Sequence, residues 1–245
     1  MWHSAIDVSE TDSMQIQAKT GARRVCIYPA ALAFMAVPAV LIGWPAPAVG
    51  TGKIESRGDA AHMRALIVID MQVGLFEGDP PRHDADGVIR RINEIARVVR
   101  ATGGMVIFIQ HEDDGGLKRD TQGWEILPVL ERTDTDLLVR KQACDSFYET
   151  ELADLLEQHG TRQLIITGCA TDFCVDTTIR AAAGRNYEVV VVKDAHTTRD
   201  RPHLDAKSII THHNWMWENL ILPRNEVKVS PATSVIVWLQ SESQP

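Results

Sequence analysis

The sequence predicts an α/β fold of three layers, α-β-α, built around a mainly parallel central sheet. Three observations predict it. From Ala65 onward, short apolar runs alternate with segments of helical periodicity. The runs are continuous rather than alternating, the pattern of strands covered on both faces. Side chains with useful chemistry follow directly after the runs, where open parallel sheets bind their ligands.

The elements follow in order. Ala65–Ile69 is the first strand. Asp86 to Ala101 carries Val88, Ile92, Ile95, Ala96 and Val99 at helical spacing, with arginines between, and Gly103-Gly104 ends it. Met105–Ile109 is the second strand, and His111 to Pro128 reads as a loop. Leu137–Val139 is a short third strand. Glu149 to His159 is a helix with Leu152, Leu155 and Leu156 inward, closed by Gly160. Leu164–Thr167 is a strand, Val175–Ala183 a helix, Glu188–Val192 a strand and Leu204 to Asn219 a helix. Within Asn225 to Gln240, Val227 and Val229 predict an edge strand, and the rest fits either type.

Bulk properties narrow the function classes. The chain has 245 residues, 44% of them hydrophobic, which is enough for one sizeable core. Its formal charge of −8 and the lack of a basic run argue against a nucleic-acid partner. Four cysteines, Cys26, Cys144, Cys169 and Cys174, are too few and too scattered for a disulfide scaffold. A cytoplasmic protein with reduced thiols is expected.

Residues 1–62 read as an N-terminal extension to a catalytic domain spanning 63–240. Arg23-Arg24 precedes an apolar stretch broken by Pro29 and Pro38, and Ala46-x-Ala48 fits a signal-peptidase site. Residues 23–48 can therefore be an export or anchoring segment. The other reading is a disordered tail, or translation extended upstream of a natural start at Met63. The catalytic domain itself calls for no membrane.

The strand ends collect Asp70, Gln110-His111, Arg140-Lys141, Gly168 to Cys174 and Asp194. Cys174 sits where a strand turns into a helix, and the positive end of a helix macrodipole favours a thiolate there. Asp70 can serve as general base and Lys141 can lower the thiol pKa, which together form an Asp–Lys–Cys triad for acyl transfer. Each has an ordinary explanation alone: a capping carboxylate, a solvated lysine, a small buried thiol. Their conjunction at one sheet edge is the informative fact. Cys169 and Cys174 lack the Cys-x-x-Cys spacing of a redox pair, and Cys169 reads as a small residue beneath the turn.

Three ordered motifs carry a family resemblance. They are Asp70-Met71-Gln72, Lys141 followed by Asp145-Ser146-Phe147, and Gly168-x-x-Thr171-Asp172-x-Cys174-Val175-x-x-Thr178. Between about Met63 and Leu222 the chain resembles the isochorismatase-like cysteine hydrolases, in particular the streptothricin hydrolase-like amidohydrolase branch. The resemblance implies the isochorismatase-like hydrolase fold, with Asp70 as base, Lys141 as activating amine and Cys174 as nucleophile. It further implies a cis peptide between Cys169 and Ala170, and an oxyanion hole from the Ala170 and Cys174 N–H groups. Nicotinamidases of this family hold a metal through an aspartate and histidines after the second strand. Here Gln110-His111-Glu112-Asp113-Asp114 supplies a single histidine, so no metal and no cofactor is expected.

Gln72, Phe76, His111, Trp124, Phe147 and Phe173 are the candidate substrate-binding residues. The histidine-rich stretch from Asp194 to His203, with His212-His213-Asn214-Trp215, resembles a loop-ordering and subunit-contact region of the same branch. The expected function is hydrolysis of a C–N bond in a small amide, lactam or ureido compound, by a homodimer or homotetramer. The rivals are a vinyl-ether hydrolase of the isochorismatase kind and an inactive binding protein of the same fold. A nucleotide-binding reading requires Gly-x-Gly-x-x-Gly in the first turn, and Asp70 to Gly78 lacks it.

Overall fold

Six strands pair in the order β3-β2-β1-β4-β5-β6, every pair parallel. The computed structural model describes residues 64–242, so both readings of residues 1–62 lie outside the described residues. The strands are β1 (Arg64–Ile69), β2 (Met105–His111), β3 (Leu137–Lys141), β4 (Gln163–Cys169), β5 (Glu188–Thr197) and β6 (Val227–Ser230). The helices are α1 (Val73–Phe76), α2 (Ala85–Ala101), α3 (Leu152–Gln158), α4 (Asp176–Gly184), α5 (Ala206–Glu218) and α6 (Ala232–Glu242). A single π-helical turn, Thr171–Val175, leads into α4.

Successive strand residues point to opposite faces, so each strand feeds two cores. On one face Leu66, Val68, Phe108, Ile165 and Val192 pack with Ile92, Ile95 and Val99 of α2 and Val235 and Leu239 of α6. On the other, Ile67, Ile69, Ile109, Ile166 and Val191 pack with Leu152 and Leu156 of α3, Ile179 of α4 and Trp217 of α5. These are the three layers, and both faces being covered is why the strands read as unbroken apolar runs.

The segment left open in the sequence divides into β6 and α6. The short helix α1 has no counterpart in the sequence reading, and two other elements depart furthest from their expected bounds. The third helix opens at Leu152 rather than Glu149, because Glu149 adopts a left-handed backbone (φ 53°). β5 continues past Val192 to Thr197, carrying His196 into register with Gly168. Among the described residues, no helix is long and apolar enough to cross a membrane.

Strand order reverses at β1, whose neighbours are β2 and β4. This is the switch point at which such sheets open a crevice beyond their carboxyl ends. Asp70 follows β1 directly, and the Gly168 to Cys174 segment leaves β4 beside it.

Candidate active site

Backbone conformation brings the two sides of the crevice together. Asp70 has a left-handed backbone (φ 48°), and its N–H donates to Ile109 O at 2.9 Å. Aspartate tolerates that region better than most residues. Opposite it, Gly168 has φ 120°, and a Cβ there would lie 2.2 Å from Ile69 O. Only glycine allows β4 to approach the end of β1 so closely.

Lys141 ends β3, in register with His111 of β2. Its long stem crosses the end of β2, and Nζ donates to Asp70 Oδ2 at 2.7 Å, Ala143 O at 3.0 Å and Cys174 Sγ at 3.3 Å. His111 Nδ1 also lies 3.3 Å from Nζ. An ammonium has three hydrogens and four neighbours here, so the His111 contact shares a hydrogen with one of the other three. Asp70 and Lys141 are 1% and 2% exposed, so this ion pair is almost wholly removed from water. Asp70 Oδ1 is buried and makes no hydrogen bond of its own.

Electrostatics revise one expectation. Cys174 does lie in the first turn of a helical run, but its thiol pKa is raised rather than lowered. Burial raises it, the Asp70 carboxylate adds to that, and Lys141 only partly opposes. Lys141 is itself raised: burial would lower it, but Asp70 and Cys174 outweigh burial. Burial and Lys141 lower His111. The resting arrangement is a neutral thiol beside a buried Asp–Lys pair.

The turn that carries Cys174 is cross-braced. The peptide between Cys169 and Ala170 is cis. Ala170 O accepts from the N–H groups of Phe173 (3.0 Å) and Val175 (3.2 Å), passing over Cys174. π-Turns of this kind recur at functional sites. Asp172 accepts from Thr198 Oγ1 at 2.6 Å and from Arg201 through both carboxylate oxygens. Ser146, from the lysine segment, pairs with Thr178 of α4 through their buried hydroxyls at 2.8 Å. With the Lys141 contacts to Asp70 and Cys174, all three sequence motifs are bonded together.

The isochorismatase domain family matches residues 64–213, which is more than half of the chain. The chain belongs to the isochorismatase family. A streptothricin hydrolase of Streptomyces noursei is 34% identical over 57% of this chain, and the chain spans only 56% of that relative. A secreted isochorismatase effector of Verticillium dahliae is 30% identical over 59% of this chain and 78% of the relative. The crystal structure of an isochorismatase family protein, 34% identical, superposes with a TM-score of 0.63 over 67% of this chain and 96% of that one.

Within this isochorismatase-family fold, several candidate substrate residues have other employment. Gln72 is fully buried; its Nε2 donates to His111 O and Trp124 O, both at 2.8 Å, and its Oε1 accepts from His111 N at 2.8 Å. With both amide hydrogens spent, it fastens the segment after β2 instead of reaching a substrate. Phe147 is buried in the core and stacks on Tyr187, with centroids 5.8 Å apart, so it does not line the crevice. Phe76 packs against the α2 face under the Arg82 guanidinium. Phe173, next to Cys174, is 51% exposed with Arg201 over its ring, and His111 touches Lys141. Trp124 is half-buried, and its indole N–H is enclosed without a hydrogen-bond partner. Among the described residues, no group of three His, Cys, Asp or Glu side chains is placed to hold a metal ion.

Proposed function

We propose that the chain is a cysteine-dependent hydrolase that cleaves the C–N bond of a small amide, lactam or ureido compound through a thioester. One observation carries this reading: the Lys141 ammonium touches both Asp70 Oδ2 and Cys174 Sγ inside a buried site. Similarity to ureidoacrylate amidohydrolases, beside the streptothricin hydrolase, supports C–N chemistry.

The raised thiol dictates the order of events. Sγ keeps its proton until a carbonyl arrives, then gives it to Asp70 as the S–C bond forms. The Ala170 and Cys174 N–H groups receive the oxyanion, at a typical worth of about 3 kcal/mol per donor. Asp70 returns the proton to the departing nitrogen, and the C–N bond breaks. Water, deprotonated by Asp70, then attacks the thioester and frees the acid and the thiol. Lys141 stays charged throughout and holds the Asp70 carboxylate in place.

The test is a panel of nicotinamide, carbamoyl amino acids and streptothricin lactam, run on wild type and Cys174→Ala, with intact-mass detection of an acyl-enzyme. Turnover by wild type alone, with an acyl adduct on Cys174, supports the reading. Equal turnover by Cys174→Ala sinks it. Hydrolysis of isochorismate by both proteins selects the vinyl-ether reading instead.

A further inference from the structure

One buried titratable side chain takes no part in the chemistry above. His196, near the end of β5, is 1% exposed and bonded at both ring nitrogens. Nδ1 lies 2.9 Å from Thr171 Oγ1, and Nε2 lies 3.0 Å from Asn214 Oδ1. The ring also meets the edge of Trp217, at 5.2 Å between centroids and 74° between planes.

The proton positions follow from the far end of this chain. Asn214 Nδ2 donates to Lys193 O at 3.0 Å, which leaves Oδ1 as the atom facing His196. An amide oxygen only accepts, so His196 Nε2 carries the hydrogen. Nδ1 is then an acceptor, and the Thr171 hydroxyl donates to it. Burial pushes the ring pKa down to about 4, which keeps it neutral at ordinary pH. The result is a one-way sequence from Thr171 through His196 and Asn214 to the β5 backbone.

Thr171 is fully buried and opens the turn that carries Cys174, directly after Ala170. We propose that His196 is a positioning residue: by holding the Thr171 hydroxyl it fixes the turn that presents the Ala170 and Cys174 N–H groups to the reacting carbonyl. Asp172, gripped by Thr198 and Arg201, restrains the adjacent residue from the same strand end. The inference rests on the thioester reading. It adds that the end of β5, which touches no reacting atom, sets the geometry of the oxyanion donors.

Two reagents separate this role from simple support of the fold. Acylation of Cys174 by p-nitrophenyl acetate passes through an oxyanion, whereas alkylation by iodoacetamide does not. Both are followed on the Cys174 peptide by mass spectrometry. Thr171→Val and His196→Gln should each slow acylation about tenfold, and leave alkylation within about twofold, as loss of one aligned hydrogen bond requires. Glutamine reproduces the Nε2 contact with Asn214 but not the Nδ1 acceptor. His196→Asn supplies an acceptor at the Nδ1 position and should recover most of the rate. The Thr171→Val/His196→Gln double variant should be no slower than either single one, because both remove the same contact.

Acylation and alkylation falling together, or Thr171→Val reacting at the wild-type rate, overturns the proposal. If the His196 variants do not fold, Thr171→Val against Thr171→Ser decides it, since serine keeps the donor. Wild type that gains no acyl group on Cys174 removes the thioester reading and this inference with it, an outcome distinct from all the others.

Discussion

Lys141 Nζ lies 2.7 Å from Asp70 Oδ2, and the two side chains are 2% and 1% exposed. A pair buried this deeply is costly to break, because the surviving partner keeps its charge without water or counter-charge. Lys141→Met should therefore destabilise the fold by about 3–5 kcal/mol. Adding Asp70→Asn should restore most of that stability, yet leave the protein inactive. Urea denaturation and turnover, measured on the single and double variants, separate the structural role of the pair from the catalytic one.

The protonated thiol makes a prediction of opposite sign to the one a helix start alone suggests. Asp70 raises the Cys174 pKa and Lys141 lowers it. At pH 7 wild-type Cys174 should alkylate more slowly than a free cysteine of pKa about 8.5, and the rate should climb steadily with pH. Asp70→Asn removes a cause of the raised pKa, so it should speed alkylation while abolishing turnover. Lys141→Met should slow it. Cys144 is exposed, so the reaction must be read on the Cys174 peptide.

Gly168 bears on whether the crevice can form at all. A Cβ at this position meets the Ile69 backbone at 2.2 Å, and φ 120° is closed to other residues. The obstacle is backbone on both counts, so no side chain can move aside. Gly168→Ala should cost about 3 kcal/mol or more, visible as a fall in melting temperature or in soluble yield.

Where the sequence was legible, local rules were enough. Strands covered on both faces appear as unbroken apolar runs, and Asp70, Lys141 and Cys174 each follow such a run or its adjoining turn. The final helix was not legible, because Val235, Ile236, Val237, Trp238 and Leu239 are consecutive apolar residues with no visible period. Only Val235 and Leu239, one turn apart, are fully buried, while Val237 is 65% exposed. The thiol's protonation state was hidden for another reason: it depends on the depth of burial and on a carboxylate from a different strand. His196 appeared only as one histidine in a polar stretch, because its partner Thr171 is 25 residues away.

Gln72 shows how a motif residue can be read in the right place with the wrong employment. Its position just after Asp70 suggests substrate contact, yet its hydrogen bonds go to backbone 39 and 52 residues away. Gln72→Met keeps the length and removes the amide, leaving the His111 N–H and O and one interaction at Trp124 O without this partner. Each buried group left unsatisfied costs about 1–3 kcal/mol, so the loss should be about 2–4 kcal/mol after relaxation. Because the substitution frees the segment holding His111, whose ring touches Lys141, kcat should fall along with stability. KM should hold within about twofold, since an amide with no free donor has no binding energy to lose. A large rise in KM with an unchanged melting temperature would return Gln72 to the substrate.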